Sequence, residues 1–338
     1  MIVSLLTCQS AMAYDFEVDG IYYDITSAED LTVSVTSSGA YDKIYFDDVR
    51  IPETVTNDGK TYTVTSISDE ALSYSGAVIS VVIPNSVEVI GNDAFYLCRN
   101  MTSVTLGNGV REIGKGAFYN CGMLTSINIP GSVTAMGDYT FMFCNSLRSA
   151  VIGEGITKIT TGMFSECTML ESVTIPNSVT EICDHAFNQC KALVSVTIPN
   201  GVTKVGASAF GSSGLTSVII PASVTEIGSY AFGFCYSLSE VHCNSATPPL
   251  ITGDTFDFNG TLYVPTGCAD LYKADQNWGK FRSIKEEAYN GIQQPSAQHP
   301  NGDNVIYNVN GQKVNTENTE SLPRGIYIVN GKKIIINR

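Results

Sequence analysis

The chain has 338 residues, is 43% hydrophobic and carries a net charge of −14. That is enough apolar material for a large core. The negative balance argues against a nucleic-acid partner, whose phosphates require a basic patch.

Residues 1–13, MIVSLLTCQSAMA, are too short for a transmembrane span. The apolar run Ile2 to Cys8 followed by Ala11-Met12-Ala13 reads as the back half of a secretory signal peptide cleaved after Ala13. No basic segment precedes it, so a start upstream of Met1 is expected. Cys8 after Leu5-Leu6-Thr7 offers a rival, a lipoprotein acceptor. Thr7 stands there where Gly, Ala or Ser is usual, which favours the first reading. Either way the chain is expected to be exported, to the cell surface or beyond.

Residues 14–70 form the expected N-terminal β cap. They hold 13 Asp and Glu against 3 Lys and Arg. No D-x-D-x-D-G loop is present, so this acid reads as a solvated face and not a calcium site. Asp19-Gly20 lies between alternating apolar residues, a hairpin signal. LTVSVTS and KIYFDDV continue as strands, Ile51-Pro52 repeats a phrase of the later coils, and Asn57-Asp58-Gly59 turns into TYTVTSI. The segment reads as a zeroth coil with a hairpin inserted.

From residue 71 onward the chain repeats. Leu124 to Phe141, LTSINIPGSVTAMGDYTF, returns as LESVTIPNSVTEICDHAF and LVSVTIPNGVTKVGASAF. Phe95, Phe118, Phe141, Phe164, Phe187 and Phe210 sit 23 residues apart, and Phe232 follows after 22. Leu72 holds the same place one period earlier and Phe256 one later. A fixed period of this size marks a repeat array. Each unit has an alternating segment, such as Ile127 and Ile129, that reads as a half-buried strand. Pro84, Pro130, Pro176, Pro199 and Pro221 close that strand, because proline brings no N–H. One unit has too few apolar side chains to offset the ordering of its own backbone. Units must therefore stack, rising about 4.8 Å each.

Three columns stand out across the coils. Cys98, Cys121, Cys144, Cys167, Cys190 and Cys235 keep the period three places after each phenylalanine. They read as small buried free thiols, one per coil. No CxxC pair exists to suggest zinc. Ser80, Ser103, Ser126, Ser149, Ser172, Ser195 and Ser217 form a second column. Beside it run Thr105, Asn128, Thr174 and Thr197, interrupted by Val82, Val151 and Ile219. Both have the parity opposite to the buried Val and Ile and face solvent. Either Ser and Thr merely suit exposed strands, or this hydroxyl-rich face binds a ligand. Glu112, Glu181 and Glu226, with Lys158 and Lys204, share one exposed position and read as a charged rim.

The repeat L-x-x-V-x-I-P-x-S/G-V resembles a leucine-rich repeat of the BspA type, found in surface proteins of Bacteroidetes. Ser86, Ser132, Ser178 and Ser223, with Gly109, Gly155 and Gly201, occupy the place where other leucine-rich repeats put a buried Asn. The resemblance covers roughly residues 61–260. It implies a leucine-rich-repeat solenoid of parallel β coils. It also implies a non-enzymatic binding or adhesion role toward an extracellular protein or glycan.

The solenoid with its C-terminal cap is expected over 71–289. TLYVP is a last strand, Thr266 is placed to cap a short helix through Ala269 to Tyr272, and Trp278, Phe281 and Ile284 supply a lid. Residues 290–304 read as a linker. Residues 305–338 carry Asn310-Gly311 and Asn330-Gly331 between short apolar strands, two expected hairpins. YNVNGQKV and LPRGIYIV resemble the C-terminal sorting domains of type IX secretion cargo, implying export or anchoring machinery as a partner. This tail is shorter than most such domains, and a plain accessory β module stays open. No catalytic constellation is expected. His185, His242 and His299 have no nucleophile in sequence register, and no P-loop, HExxH, GxSxG or GxGxxG occurs. The reading includes no enzyme activity, cofactor or metal. A structural envelope spacer displayed through the tail is the alternative to a binding protein.

Overall fold

The computed structural model describes residues 13–39, 45–257 and 260–288. It also describes the backbone of Ile306–Asn308, Gly325–Val329 and Lys332–Ile336. The repeat is a β-solenoid of about ten turns, and each coil has three sides.

The first side is the alternating segment. Ser126–Ile129 turns Ile127 and Ile129 inward and Ser126 and Asn128 outward. Successive coils pair parallel and put like on like: Ser126, Ser149 and Ser172 are register partners, as are Ile127, Ala150 and Val173. The side is built from three sheets. One holds Phe46–Arg50, Ala77–Val82 and Ser103–Thr105; the next holds Ser126–Ile129, Ser149–Ile152 and Ser172–Thr174. The third holds Ser217–Ile220, Glu240–Cys243, Thr261–Pro265 and Ser283–Glu287. Ser195 and Thr197 lie in a segment without strand pairing, although Val196 and Ile198 still point inward and are buried.

The second side is short. Val89–Ile90, Glu112–Ile113 and Ala135–Met136 pair parallel. So do Lys158–Ile159, Glu181–Ile182, Lys204–Val205 and Glu226–Ile227. The outward rim alternates in sign, with Lys158 to Glu181 at 2.7 Å and Lys204 to Glu226 at 3.1 Å. Both pairs are open to water and add little stability.

Where a coil leaves the first side, Ser86, Gly109, Ser132, Gly155, Ser178, Gly201 and Ser223 alternate strictly. The Ser178 hydroxyl donates to the Ile156 carbonyl at 2.7 Å and Ser223 to Val202 at 2.6 Å. A Cβ on Gly155 would lie 2.2 Å from the Val133 carbonyl oxygen. Ser178 and Ser223 thus reach back onto a glycine coil, the buried Ser86 and Ser132 hydroxyls find no such partner, and Gly155 sits tight against the serine coil before it.

The third side has no regular strand but is hydrogen-bonded throughout. Tyr139 donates its N–H to Thr161, Phe141 to Met163 and Phe143 to Ser165, at 2.8, 2.9 and 2.9 Å. Residues two before and two after the phenylalanine are left-handed, with φ 59° at Tyr139 and 63° at Phe143. The same holds at His185, Gln189, Tyr230 and Phe234. These bends aim alternate N–H groups at the following coil. Between them the phenylalanines are fully buried from Phe95 to Phe232. Their rings stack at 5.0–5.6 Å between centroids, within 3–9° of parallel. Phe256 extends the stack at 5.1 Å.

All nine described cysteines are free thiols. The column thiols donate to the carbonyl of the stacked residue one coil back, Leu72 for Cys98 and a phenylalanine thereafter, as Cys144 does to Phe118 at 3.3 Å and Cys167 to Phe141 at 3.1 Å. In the coil where Ser213 replaces cysteine, its hydroxyl meets Cys235 Sγ at 3.3 Å. Burial pushes the Cys98 and Cys144 thiols up to about 12.

At the N-terminal end Phe16–Val18 and Ile21–Ser27 form the Asp19-Gly20 hairpin, with both turn residues at positive φ. Thr54–Asn57 and Lys60–Ile67 form a second hairpin, closed by Asp58-Gly59. Phe46–Arg50 begins the first side and Ile67 pairs with Ile90 on the second, the arrangement of a coil with a hairpin inserted. At the other end Trp278 is fully buried, packs on Phe256, Tyr272 and Phe281, and donates Nε1–H to the Pro249 carbonyl at 2.8 Å. The helix Ala269–Ala274 is not capped by Thr266, whose hydroxyl instead donates to the Glu287 carbonyl at 3.3 Å. The Glu286 carboxylate takes the Ala269 N–H at 3.1 Å. That contact and one from the Gly267 backbone hold Glu286 below the usual carboxylate range.

The expected leader, 1–13, apart from Ala13, and the expected linker, 290–304, lie outside the described residues. Gly325–Val329 and Lys332–Ile336 pair antiparallel across Asn330-Gly331, and Ile306–Asn308 adds to Gly325–Val329. The Asn310-Gly311 turn also lies outside the described residues.

Candidate binding face

The two candidate columns come together on the first side because the strand period of two sends every second side chain outward. Ser103, Ser126, Ser172, Thr105, Asn128, Thr174 and Thr197 are exposed; Ser149, Ser195 and Ser217 are half-buried. Among the described residues, none of these ten side chains makes a hydrogen bond within the protein. The adjoining column behaves differently. The Thr102 and Thr125 hydroxyls donate to carbonyls one coil back, at 3.1 and 3.3 Å, and Thr216 and Ser239 do the same at 3.4 and 3.3 Å. One hydroxyl column is committed to holding coils together; in the two beside it Ser80 donates to Asp48, and the hydroxyls from Ser103 to Ser217 keep their donors and acceptors free. Val151, 46% exposed, interrupts the outer column, and an Arg148–Glu171 ion pair at 2.6 Å borders the face.

The columns do not stop at Ser217 and Ile219. Ser217 is in register with Glu240, and Ile219 with His242; His242 in turn pairs with Tyr263, and Tyr263 with Lys285. The His242 ring stacks on Tyr263 at 4.5 Å, and its Nδ1 lies 2.8 Å from Glu287 Oε1. Tyr263 donates its hydroxyl to Glu240 Oε1 at 3.3 Å, and Lys285 Nζ lies 5.7 Å from the ring centroid. Burial and the Glu240 carboxylate push the Tyr263 phenol up. The uncharged ladder therefore ends in a compact charged and aromatic patch. Sequence reading missed it by treating 241–289 as closure. The signal was present: Glu240 to Cys243 and Thr261 to Val264 alternate like the coils before them.

The partners of His242 are two carboxylates and a phenol, which fix the orientation of its imidazole. His185 occupies a left-handed turn on the third side. Among the described residues no group of His, Cys, Asp and Glu could hold a metal, and no helix is long and apolar enough to cross a membrane.

The family model of the BspA type leucine-rich repeat region matches in six copies, over residues 65–193 and 163–262. Several solved structures are similar. A leucine-rich repeat protein from Bacteroides ovatus ATCC 8483 is 25% identical with a TM-score of 0.58, covering 81% of this chain and 77% of that one. A leucine-rich cell surface protein from Faecalibacterium prausnitzii A2-165 is 23% identical with a TM-score of 0.54, over 82% of this chain and 95% of that one. The T. pallidum leucine-rich repeat protein is 25% identical with a TM-score of 0.51, over 66% and 90%. No curated protein matches the chain.

Proposed function

The chain belongs to the BspA-type leucine-rich repeat family, and from that premise we propose that it is a secreted or cell-surface adhesion protein. It recognises an extracellular protein or glycan through the first side of the solenoid. The observation that carries this reading is the uncommitted hydrogen-bonding capacity of Ser103, Ser126, Ser149, Ser172, Thr105, Asn128 and Thr174. Hydroxyls whose only alternative partner is water can be turned to a ligand at little cost. A repeated ladder also suits a ligand that is itself extended or repetitive. No catalytic role is assigned, since the coils bury side chains in like layers.

The test is a screen of printed glycans and extracellular-matrix proteins with the full chain and with a Ser126→Lys/Ser149→Lys/Ser172→Lys variant. A ligand held by the wild type should be lost by the variant while the circular dichroism spectrum stays unchanged. A ligand retained equally by both places the contact elsewhere and overturns the reading.

The separate three-stranded sheet at the C-terminus favours a second reading, an envelope spacer attached through its tail. Deleting 290–338 separates the two. Surface display lost with ligand binding retained supports adhesion; an empty screen with display still dependent on the tail supports the spacer.

A further inference from the structure

The third side carries surface that its coils do not require. Tyr74, Tyr96, Tyr119 and Phe143 come from successive coils and touch ring to ring, at 5.5, 5.0 and 5.5 Å between centroids. Tyr74 is 62% exposed and the other three are half-buried. Tyr74 and Phe143 are also left-handed, at φ 59° and 63°. A bulky side chain is costly in that region, where glycine and asparagine are the ordinary occupants. Farther along, the same columns hold Ser165, Glu166, Asn188, Gln189 and Ser212, and the coil closes equally well. The left-handed bend belongs to every coil, but the fold does not ask for an aromatic ring on it; at Tyr74 and Phe143 ring exposure and backbone strain coincide. Strain borne by a bulky residue where a smaller one would serve is a feature of interaction sites.

The border of this ridge is anionic. Asp93 borders it, its carboxylate and the Tyr119 Cβ both standing within 4 Å of where a Cβ on Gly116 would lie, and the Glu70 and Asp69 charges act on Asp93 in turn. Burial and the Glu70 and Asp69 charges raise the Asp93 carboxyl above its ordinary range, with Lys115 pulling the other way. Lys115 Nζ lies 5.8 Å from the Tyr139 ring centroid, so this side already holds a cation over an aromatic face. The pattern recurs at the far end. Tyr230 and Phe234 stack at 5.9 Å, Tyr236 beside them is 87% exposed, and the Asp257 carboxylate accepts the Phe234 N–H at 2.6 Å. A second copy of this chain would bring the same carboxylates and a net charge of −14. An uncharged ligand would leave the crowded carboxylates as they are.

We propose that the ridge of Tyr74, Tyr96, Tyr119 and Phe143, with its Asp69, Glu70 and Asp93 border, is a docking site for a protein segment presenting arginine or lysine side chains. A guanidinium suits it better than an ammonium, since it can lie on a ring and still meet a carboxylate edge-on. This site is independent of the hydroxyl face, and either can fail alone.

The experiment is a fluorescence anisotropy titration of the full chain with a labelled Arg-Ser-Gly repeat peptide, with Lys-Ser-Gly and Glu-Ser-Gly repeats as controls. The arginine peptide should bind best and the glutamate peptide not at all. Tyr74→Ser/Tyr119→Ser should weaken binding about tenfold without any change in net charge. Glu70→Gln/Asp93→Asn should weaken it too and flatten its salt dependence. Tyr74→Ser alone alters an exposed ring and serves if the double variant loses its folding transition. Ser126→Ala/Ser172→Ala on the first side should bind the peptide like the wild type. An affinity that stays within about twofold in the tyrosine variants overturns the proposal, because the attraction is then only bulk negative charge. So does failure of the wild type to bind the arginine peptide at low salt.

Discussion

Two columns of the same coils behave in opposite ways. On the inside of the third side, phenylalanine holds its place from Phe95 to Phe232, each ring against the next. On the outside of the first side, the equivalent column runs Thr105, Asn128, Val151, Thr174, Thr197, Ile219, His242 and Tyr263. Each column takes one residue from every coil and stacks it on its counterpart, so the difference that matters is solvent. A buried ring must match the volume above and below it, and any change leaves a void or a clash. An outward side chain answers to whatever the molecule meets. Invariance marks the scaffold here, and drift within a column marks the surface that packing leaves unconstrained.

Alkali should break the inner column hardest. Burial raises the column thiols above their unfolded value of about 8.5–9, with Cys98 and Cys144 near 12. A group raised on folding contributes its full stability below the unfolded pKa and loses it as pH climbs toward the folded one. Above about pH 9 each such thiol should remove on the order of 1 kcal/mol per pH unit until it ionises in the folded chain. Urea denaturation at stepped pH would read this. Cys121→Ser/Cys144→Ser/Cys167→Ser, which copies the natural Ser213 coil, should flatten the slope over that window. An unchanged slope would mean that other groups set the alkaline limit.

Phe141→Ala is next, with an expected loss of about 3–5 kcal/mol by chemical denaturation, since the cavity is walled by Phe118 and Phe164 and cannot collapse. Deleting coils sharpens the comparison further. Removing 148–170 keeps the phenylalanine register but sets a serine coil on a serine coil. Removing 148–193 keeps both registers. The shorter deletion should therefore be the less stable of the two by about 1–3 kcal/mol, a reversal of what chain length alone would give. The smallest effect belongs to the outer column: Ser126→Lys should shift stability by less than about 0.5 kcal/mol. A larger shift would show that the hydroxyl face is structural after all.

The period, the stacked phenylalanines and the outward parity of Ser126 and Asn128 were legible in the sequence, because burial forces like residues into register. Less visible was anything that depends on where a neighbouring carbonyl lies. The thiol of Cys144 can be recognised as small and buried, but its bond to Phe118 appears only when coils are stacked. The Ser86-to-Ser223 alternation with glycine is written in the chain, yet its meaning comes from the 2.2 Å that a Cβ on Gly155 would leave to Val133. Left-handed tyrosine and phenylalanine at Tyr74 and Phe143 run against propensity and could not be expected from it. The Thr266 cap failed for a related reason. A local rule predicts a hydroxyl on its own helix, and the strand Ser283–Glu287 offered a competing carbonyl from farther along the chain.

The third side passes its N–H groups forward from every coil to the next, so the array has a direction and no internal reason to stop. Asp257 takes the Phe234 donor at 2.6 Å, and Trp278 closes over Phe256. Together they act as a terminus in the polymer sense: they make a finite molecule out of a pattern that could otherwise add monomers end to end. Stripped of that stopper, the last coil would offer the first coil of another chain the template it offers its own successor, and the product would be a filament.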